Sequence, residues 1–234
     1  MKRIFGLSAF LMLSLAAAGQ NYSQKKLFSD AEKQIVNYQE KVNKAYEDGK
    51  GELGEIYRDS VKLAIIGSYL GNHSFKTLEG KIIDTKALAK PLFILASATY
   101  CGPCVAEIPA LNRIAREYGD KVTFMVLFAD TLGKELSRLS KRYTAPVAVV
   151  PSLKETENIY SISISGFQHI LGFPTNYLVT RSQQIVGYSQ GASAPGTYPT
   201  ADGKELVITQ EQADAINYKK LKAEVELLLA SQEN

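Results

Sequence analysis

Ala98-Thr99-Tyr100-Cys101-Gly102-Pro103-Cys104-Val105-Ala106-Glu107-Ile108-Pro109 holds both cysteines of a 234-residue chain. The apolar run Leu92-Phe93-Ile94-Leu95-Ala96 precedes it and reads as a buried strand. Leu111, Ile114, Ala115 and Tyr118 follow at helical spacing. The Cys-x-x-Cys therefore falls where a strand passes into a helix. A helix N-terminus carries partial positive charge and unpaired N–H groups, and both stabilise a thiolate. Cys101, at the exposed end, is the candidate nucleophile. Cys104, one turn on, is placed to resolve a mixed disulfide. Gly102 allows close approach of a substrate backbone. Pro103 has no N–H, so it withholds one donor from the thiolate and favours the reducing direction.

Other chemistries fit the pair less well. Structural zinc needs further ligands, and the only histidines are His73 and His169. Covalent haem attachment needs His after the second cysteine, where Val105 stands. Copper held by Cys101, Cys104 and His169 stays open as a chaperone alternative, and so does a non-enzymatic binding module. No metal is expected, and no cofactor beyond a redox-active Cys101–Cys104 disulfide. Glu107, six residues after Cys101, has two readings from spacing alone. It is a solvated helix charge, or a carboxylate partly buried beneath the dithiol with a raised pKa, able to exchange protons with Cys104. Pro109 falls inside the helix and is expected to kink it.

Met1-Lys2-Arg3, an apolar run over 4–15 and Ala16-Ala17-Ala18-Gly19 make a secretory signal over 1–19. The run is short of the roughly 20 residues that span a bilayer. The expected location is the periplasm, after export across the inner membrane, with membrane anchoring if the signal is kept. Net charge is +3, and Lys2 and Arg3 supply two of those charges. The remainder is almost neutral, so nothing points to nucleic acid as a partner.

Residues 20–70 read as a helical extension. Ser29-x-x-Glu32 is a capping-box pattern, followed by the stripe Ala31, Ile35, Tyr38, Val42, Ala45. Gly49-Lys50-Gly51 breaks it, and Leu53, Ile56, Tyr57, Val61, Ala64 and Ile65 form a second stripe. The pair is expected to pack as a helical hairpin covering one face of the next domain, with a docking or dimerisation arm as the alternative. Residues 71–234 form that domain. A hairpin is expected over 74–84 and strands over 92–96, 122–128, 146–150, 172–179 and 184–188. Leu132, Leu136, Leu139 and Tyr143 mark a helix. Ser152-x-x-Glu155 is read as the cap of another through Ile159, Ile162, Phe167 and Ile170, although Tyr160, Ile162 and Ile164 also alternate like a strand. Residues 191–203 read as a loop, with Asp202-Gly203 turning a small hairpin into 205–208. Thr209-x-x-Gln212 caps a last helix with Ala213, Ile216, Leu221, Val225 and Leu228 inward. Strands alternating with helices predict an α/β sheet covered on both faces.

Tyr100-Cys101-Gly102-Pro103-Cys104, Pro109 five beyond the second cysteine, and Gly172-Phe173-Pro174-Thr175 far downstream together resemble the thioredoxin family. The signal, Glu107 and the hairpin leading through Lys90-Pro91 are similar to its extracytoplasmic TlpA/ResA-like branch. The resemblance covers roughly 74–188 and the last helix. It implies a thioredoxin fold, a central mixed sheet flanked by helices, here with an N-terminal helical extension. It implies a cis bond between Phe173 and Pro174 facing the dithiol, with the Phe173 backbone pairing with an incoming peptide. Thr175 and Tyr100 complete the implied substrate surface, and Glu107 matches the branch's acid/base carboxylate. The implied activity is thiol–disulfide exchange, in the direction of reduction, on protein thiols or disulfides, apocytochrome c among them. A membrane thiol reductant of DsbD/CcdA type is the implied electron donor. The chain departs from the pattern at Tyr100, where the family usually has Trp, and at Leu95, where cytoplasmic thioredoxins carry a buried Asp. The N-terminal helices and residues 191–203 lie outside the resemblance.

Overall fold

The computed structural model describes residues 25–144, 146–153, 162–200 and 202–232. The secretory signal, and Glu155, Ile159 and Tyr160 of the helix expected after Ser152, lie outside the described residues. In chain order the elements are α1 (Phe28–Glu47), α2 (Gly51–Ile65), β1 (Ser74–Lys76), β2 (Ile82–Asp84), β3 (Leu92–Ser97), α3 (Gly102–Tyr118), β4 (Thr123–Thr131), α4 (Lys134–Ser140), β5 (Val147–Ser152), β6 (Ile162–Ile164), β7 (Phe167–His169), β8 (Thr175–Val179), β9 (Ile185–Gln190), β10 (Gly196–Pro199), β11 (Glu205–Ile208) and α5 (Gln210–Ala230).

Five strands form the central sheet in the order β5-β4-β3-β8-β9. β3, β4 and β5 are parallel, whereas β8 and β9 run antiparallel to their neighbours. This is the mixed sheet of a thioredoxin fold. β3 lies at its centre, buried along its whole length. Strand side chains alternate between faces, which divides the core in two. Leu92, Ile94 and Ala96 face one cluster with Met125, Leu127, Tyr177 and Val179. Phe93 and Leu95 face the other with Phe124, Val126, Phe128 and Leu178. α3 and α5 cover the second face through Ile108, Leu111, Ile114, Leu221, Val225 and Leu228. α1 and α2 cover the first through Phe28, Ala31, Ile35, Val61, Ala64 and Ile65. Burying each large apolar side chain is worth about 1.5–3 kcal/mol. Phe28, Ile35, Val61 and Ile65 alone thus contribute on the scale of a domain's whole net stability.

Several expectations are corrected. The helix read through Ile162, Phe167 and Ile170 is the hairpin of β6 and β7. Ser165 (φ 52°) and Gly166 (φ 80°) make its turn. Ile162, Ile164 and Phe167 are all buried, so the two-residue period prevailed, and Phe167 stacks on Phe28 at 5.7 Å between ring centroids. The loop read over 191–203 contains β10, which pairs with β11. Both strands are almost wholly solvent-exposed, so they carry no burial pattern to read. α1 begins before Ser29: the Asp30 carboxylate accepts from the Leu27 N–H at 3.1 Å, and Ser29 and Glu32 lie inside the helix. Leu53, Ile56 and Ile216 are exposed. In their place Gly54 and Asn217 turn inward. A Cβ on Gly54 would come within 2.8 Å of the Tyr46 ring, so α1 and α2 approach too closely for a side chain there. Pro109 lies inside α3, as expected.

Candidate active site

β3 delivers the chain to the head of α3, where Cys101 is the N-cap with extended backbone (φ −89°, ψ 103°). Its Sγ accepts the Cys104 N–H at 3.2 Å, so the cap that usually comes from a hydroxyl or carboxylate is here a sulfur. Cys101 and Cys104 are joined as a disulfide with Cα atoms 5.2 Å apart. The pair is unequal. Cys101 is half-buried, whereas Cys104 is 1% exposed. Gly102 opens onto free space, with nothing within 4 Å of where its Cβ would be. Tyr100 flanks the pair with more than half of its surface exposed.

The turn between β3 and α3 is held from β4. Asp130 accepts from the Thr99 N–H at 2.8 Å and from the Thr99 hydroxyl at 2.5 Å. Sequence reasoning missed Asp130. It lies 31 residues from Thr99, and no local pattern marks it.

Glu107 takes the buried of its two positions, and more completely than spacing suggested: it is fully inaccessible. Neither carboxylate oxygen has a hydrogen-bond partner among the described residues. Burial disfavours the charged form and pushes its pKa up to about 7, with Lys220 pulling down and Glu224 adding to the rise. Cys104 precedes it by three residues on α3, the spacing that makes helical neighbours. Tyr143, following α4, is buried with its hydroxyl held neutral, mainly by burial and to a lesser degree by the Glu107 charge.

The Phe173–Pro174 peptide is cis. Cys101, Ile170 and Phe173 pack on the same core face, which brings the loop and the disulfide to one side of the sheet. Phe173's N–H and C=O have no hydrogen-bond partner among the described residues. Thr175 is fully buried and its hydroxyl donates to the Gly172 carbonyl at 2.9 Å. It braces the loop instead of facing a substrate, which corrects its place in the expected substrate surface. A groove of about 430 Å³ runs between Val36, Gln39, Glu40 and Asn43 of α1 and Ile170, Leu171 and Gly172 of this loop.

His169 is the buried end of β7. Its Nε2 is 2.7 Å from the Gly172 carbonyl and its Nδ1 is 2.7 Å from the Tyr177 hydroxyl. A carbonyl can only accept, so the network assigns the proton to Nε2 and makes Nδ1 the acceptor from Tyr177. Burial pushes the His169 pKa down to about 4, against the opposing effect of the Gly172 bond. With both nitrogens engaged, His169 cannot complete the copper set with Cys101 and Cys104. No group of three or more His, Cys, Asp or Glu suited to a metal ion occurs among the described residues.

No protein-family model matches the chain. The thiol-disulfide oxidoreductase ResA of Bacillus cereus is 29% identical over 134 residues, covering 56% of this chain and 72% of that protein. The thioredoxin-like protein YneN of Bacillus subtilis is 24% identical over 117 residues, covering 48% of this chain and 64% of that protein. Among solved structures, a thiol-disulfide oxidoreductase from Bacteroides fragilis aligns with a TM-score of 0.44 at 19% identity, covering 52% of this chain and 89% of that one. The chain is thus similar in sequence to TlpA/ResA-like thiol–disulfide oxidoreductases of the thioredoxin family.

Proposed function

We propose that this protein reduces disulfides of proteins outside the cytoplasm, with Cys101 attacking and Cys104 resolving. The unequal exposure of the pair carries the reading: a substrate can reach the sulfur that caps α3, while the Cys104 sulfur lies one turn beneath it. In the reduced protein, the Cys101 thiolate attacks one substrate sulfur. The substrate S–S bond breaks, a mixed disulfide forms, and the released thiolate takes a proton. Cys104 then passes its proton to the Glu107 carboxylate and attacks Cys101 Sγ. The second substrate sulfur leaves as a thiolate and takes up a proton, and Cys101–Cys104 closes. Two electrons have moved from the protein dithiol to the substrate.

Glu107 suits the proton step because its pKa near 7 lets it accept and release at neutral pH, and no hydrogen bond from the described residues competes for its oxygens. The N–H and C=O of Phe173, without a hydrogen-bond partner among the described residues, suit pairing with an extended substrate strand. Pro174 and Tyr100 flank that strand, and Gly102 leaves it room. Pro103 contributes no donor to the thiolate, which favours reduction.

The disulfide form must be recharged by an external dithiol, and a membrane thiol reductant of DsbD/CcdA type is the proposed donor. The signal pattern over 1–19 supports a periplasmic location, with apocytochrome c among the candidate substrates. No described helix is long and apolar enough to cross a membrane.

The test is the redox potential of the Cys101/Cys104 couple together with insulin reduction. A potential near that of thioredoxin, about −270 mV, is expected; one near about −120 mV, as in strong oxidants, would overturn the reducing direction. Cys104→Ser should trap substrates as mixed disulfides on Cys101, and Cys101→Ser should trap none.

A further inference from the structure

Lys220 on α5 lies between two carboxylates. Its Nζ is 3.9 Å from Glu107 Oε1 and 3.9 Å from Glu224 Oε1, and it donates to the Gly191 carbonyl. Glu224 already has neutral donors: Asn176 Nδ2 at 2.8 Å and the Ser189 hydroxyl at 2.6 Å. Glu107 has none. The Lys220 side chain is 26% exposed, whereas Glu107 is closed off from solvent. The ammonium thus stands at the boundary between water and the buried carboxyl.

The other groups facing Glu107 carry no charge in the oxidised protein. Cys104 on α3 is in its disulfide, and the Tyr143 hydroxyl is neutral. Among the described residues, the charges acting on Glu107 therefore come from one helix, as one cation and one anion. An ion 4–6 Å from a carboxyl moves its ionisation by roughly 1–3 pH units when it is not well screened.

We propose that Lys220 and Glu224 are positioning residues for Glu107, an opposed pair on α5 that governs when the buried carboxyl gives up its proton. Lys220 favours the ionised form. Glu224 disfavours it, by repulsion and by holding Lys220 back from closer approach. The inference rests on the proposed role of Glu107 as the group that handles the Cys104 proton. It also explains why Lys220 of α5 is directed toward a site built on α3.

The two residues predict opposite signs, which a general loosening of the helix would not produce. The test is infrared difference spectroscopy on the full chain in its oxidised form, titrated from about pH 4 to about pH 10. The Glu107 carboxyl band is identified by its loss in Glu107→Gln. Lys220→Met should move its midpoint to higher pH by roughly one unit or more. Lys220→Arg should restore it to near the wild-type value, and Glu224→Gln should move it to lower pH. Midpoints that stay in place in both Lys220→Met and Glu224→Gln, or that move in the same direction, overturn the proposal. So does a Glu107 band that fails to titrate across this range. Should Lys220→Met not fold, the sign of the Glu224→Gln shift decides. Insulin reduction against pH, run in parallel, tests the role of Glu107 itself. If the band shifts as expected while Glu107→Gln leaves that profile unchanged, the α5 pair stands and the acid/base role falls.

Discussion

His169 and Tyr177 share a buried 2.7 Å hydrogen bond, and through it the central sheet holds the loop that precedes Pro174. The other imidazole nitrogen donates to the Gly172 carbonyl, which also accepts from Thr175. The ring stacks on Phe173 at 5.4 Å. The loop thus rests on a neutral histidine with no hydrogen-bonding capacity to spare. His169→Phe keeps the ring but strands the Tyr177 hydroxyl and removes one partner of Gly172. It should cost about 2–3 kcal/mol. Urea unfolding at pH 8 measures this, and an unchanged midpoint would refute the bracing role.

Glu107 and His169 act on stability in opposite directions as pH changes. The Glu107 carboxyl is raised from 4.5 to about 7, so the native state binds more protons than the unfolded chain in that window. Its burial costs nothing below the lower value and about 3 kcal/mol above the upper one. The His169 imidazole is lowered from 6.5 to about 4. Its contribution is complete above pH 6.5 and is lost, by about 3 kcal/mol, as pH falls to 4. The windows overlap, and the two effects nearly cancel. Glu107→Gln should therefore expose a steep loss of stability between about pH 7 and about pH 4.5, and His169→Phe a gain over the same interval. Urea titrations at the two pH values read this directly; a Glu107→Gln protein with the wild-type pH slope would contradict it.

Asp130 fixes the approach to Cys101 through two hydrogen bonds to Thr99. Asp130→Ala leaves the Thr99 N–H without its acceptor, at about 1–3 kcal/mol. It should also slow insulin reduction, because the nucleophile's turn loses its anchor. Asp130→Asn retains one acceptor and should recover part of both losses. Equal activity in wild type and Asp130→Ala would show that α3 alone positions Cys101.

Gly187 pairs with Leu178 across β8 and β9. A Cβ there would lie 2.4 Å from Leu178 Cδ1 and 2.9 Å from its Cγ. Leu178 is held in the core on the α3 and α5 face, so it has little room to yield. Gly187→Ala should destabilise by about 1–3 kcal/mol through overpacking. Thermal unfolding tests this; a variant as stable as wild type would mean that the sheet shifts to accept the methyl group.

The site was legible wherever its chemistry is local. Cys101 and Cys104 are three residues apart at a strand-to-helix junction, and that junction follows from apolar periodicity on either side. The capping box of α5, with Thr209 and Gln212, is likewise a matter of four consecutive positions. The segment through Ile162, Phe167 and Ile170 was not legible, because its apolar residues satisfy both a helical and a two-residue period. The pairing of β6 with β7 and the stacking of Phe167 on Phe28 chose between them. Asn217 takes the inward place expected of Ile216, bonding both the N–H and the C=O of Ser193.

By itself, then, the amino-acid sequence determined the strand, turn and helix that present Cys101, and the resemblance to the thioredoxin family. Periodicity, caps and proline act over a few residues and can be read where they occur. The tertiary structure decided the surroundings: Glu107 closed off from water, Lys220 and Glu224 brought to it on α5, Asp130 behind Thr99, and His169 behind Phe173. Those contacts join residues whose local patterns are those of ordinary helix surfaces and strand ends. Burial and distance, which set their chemistry, exist only once the sheet has assembled them.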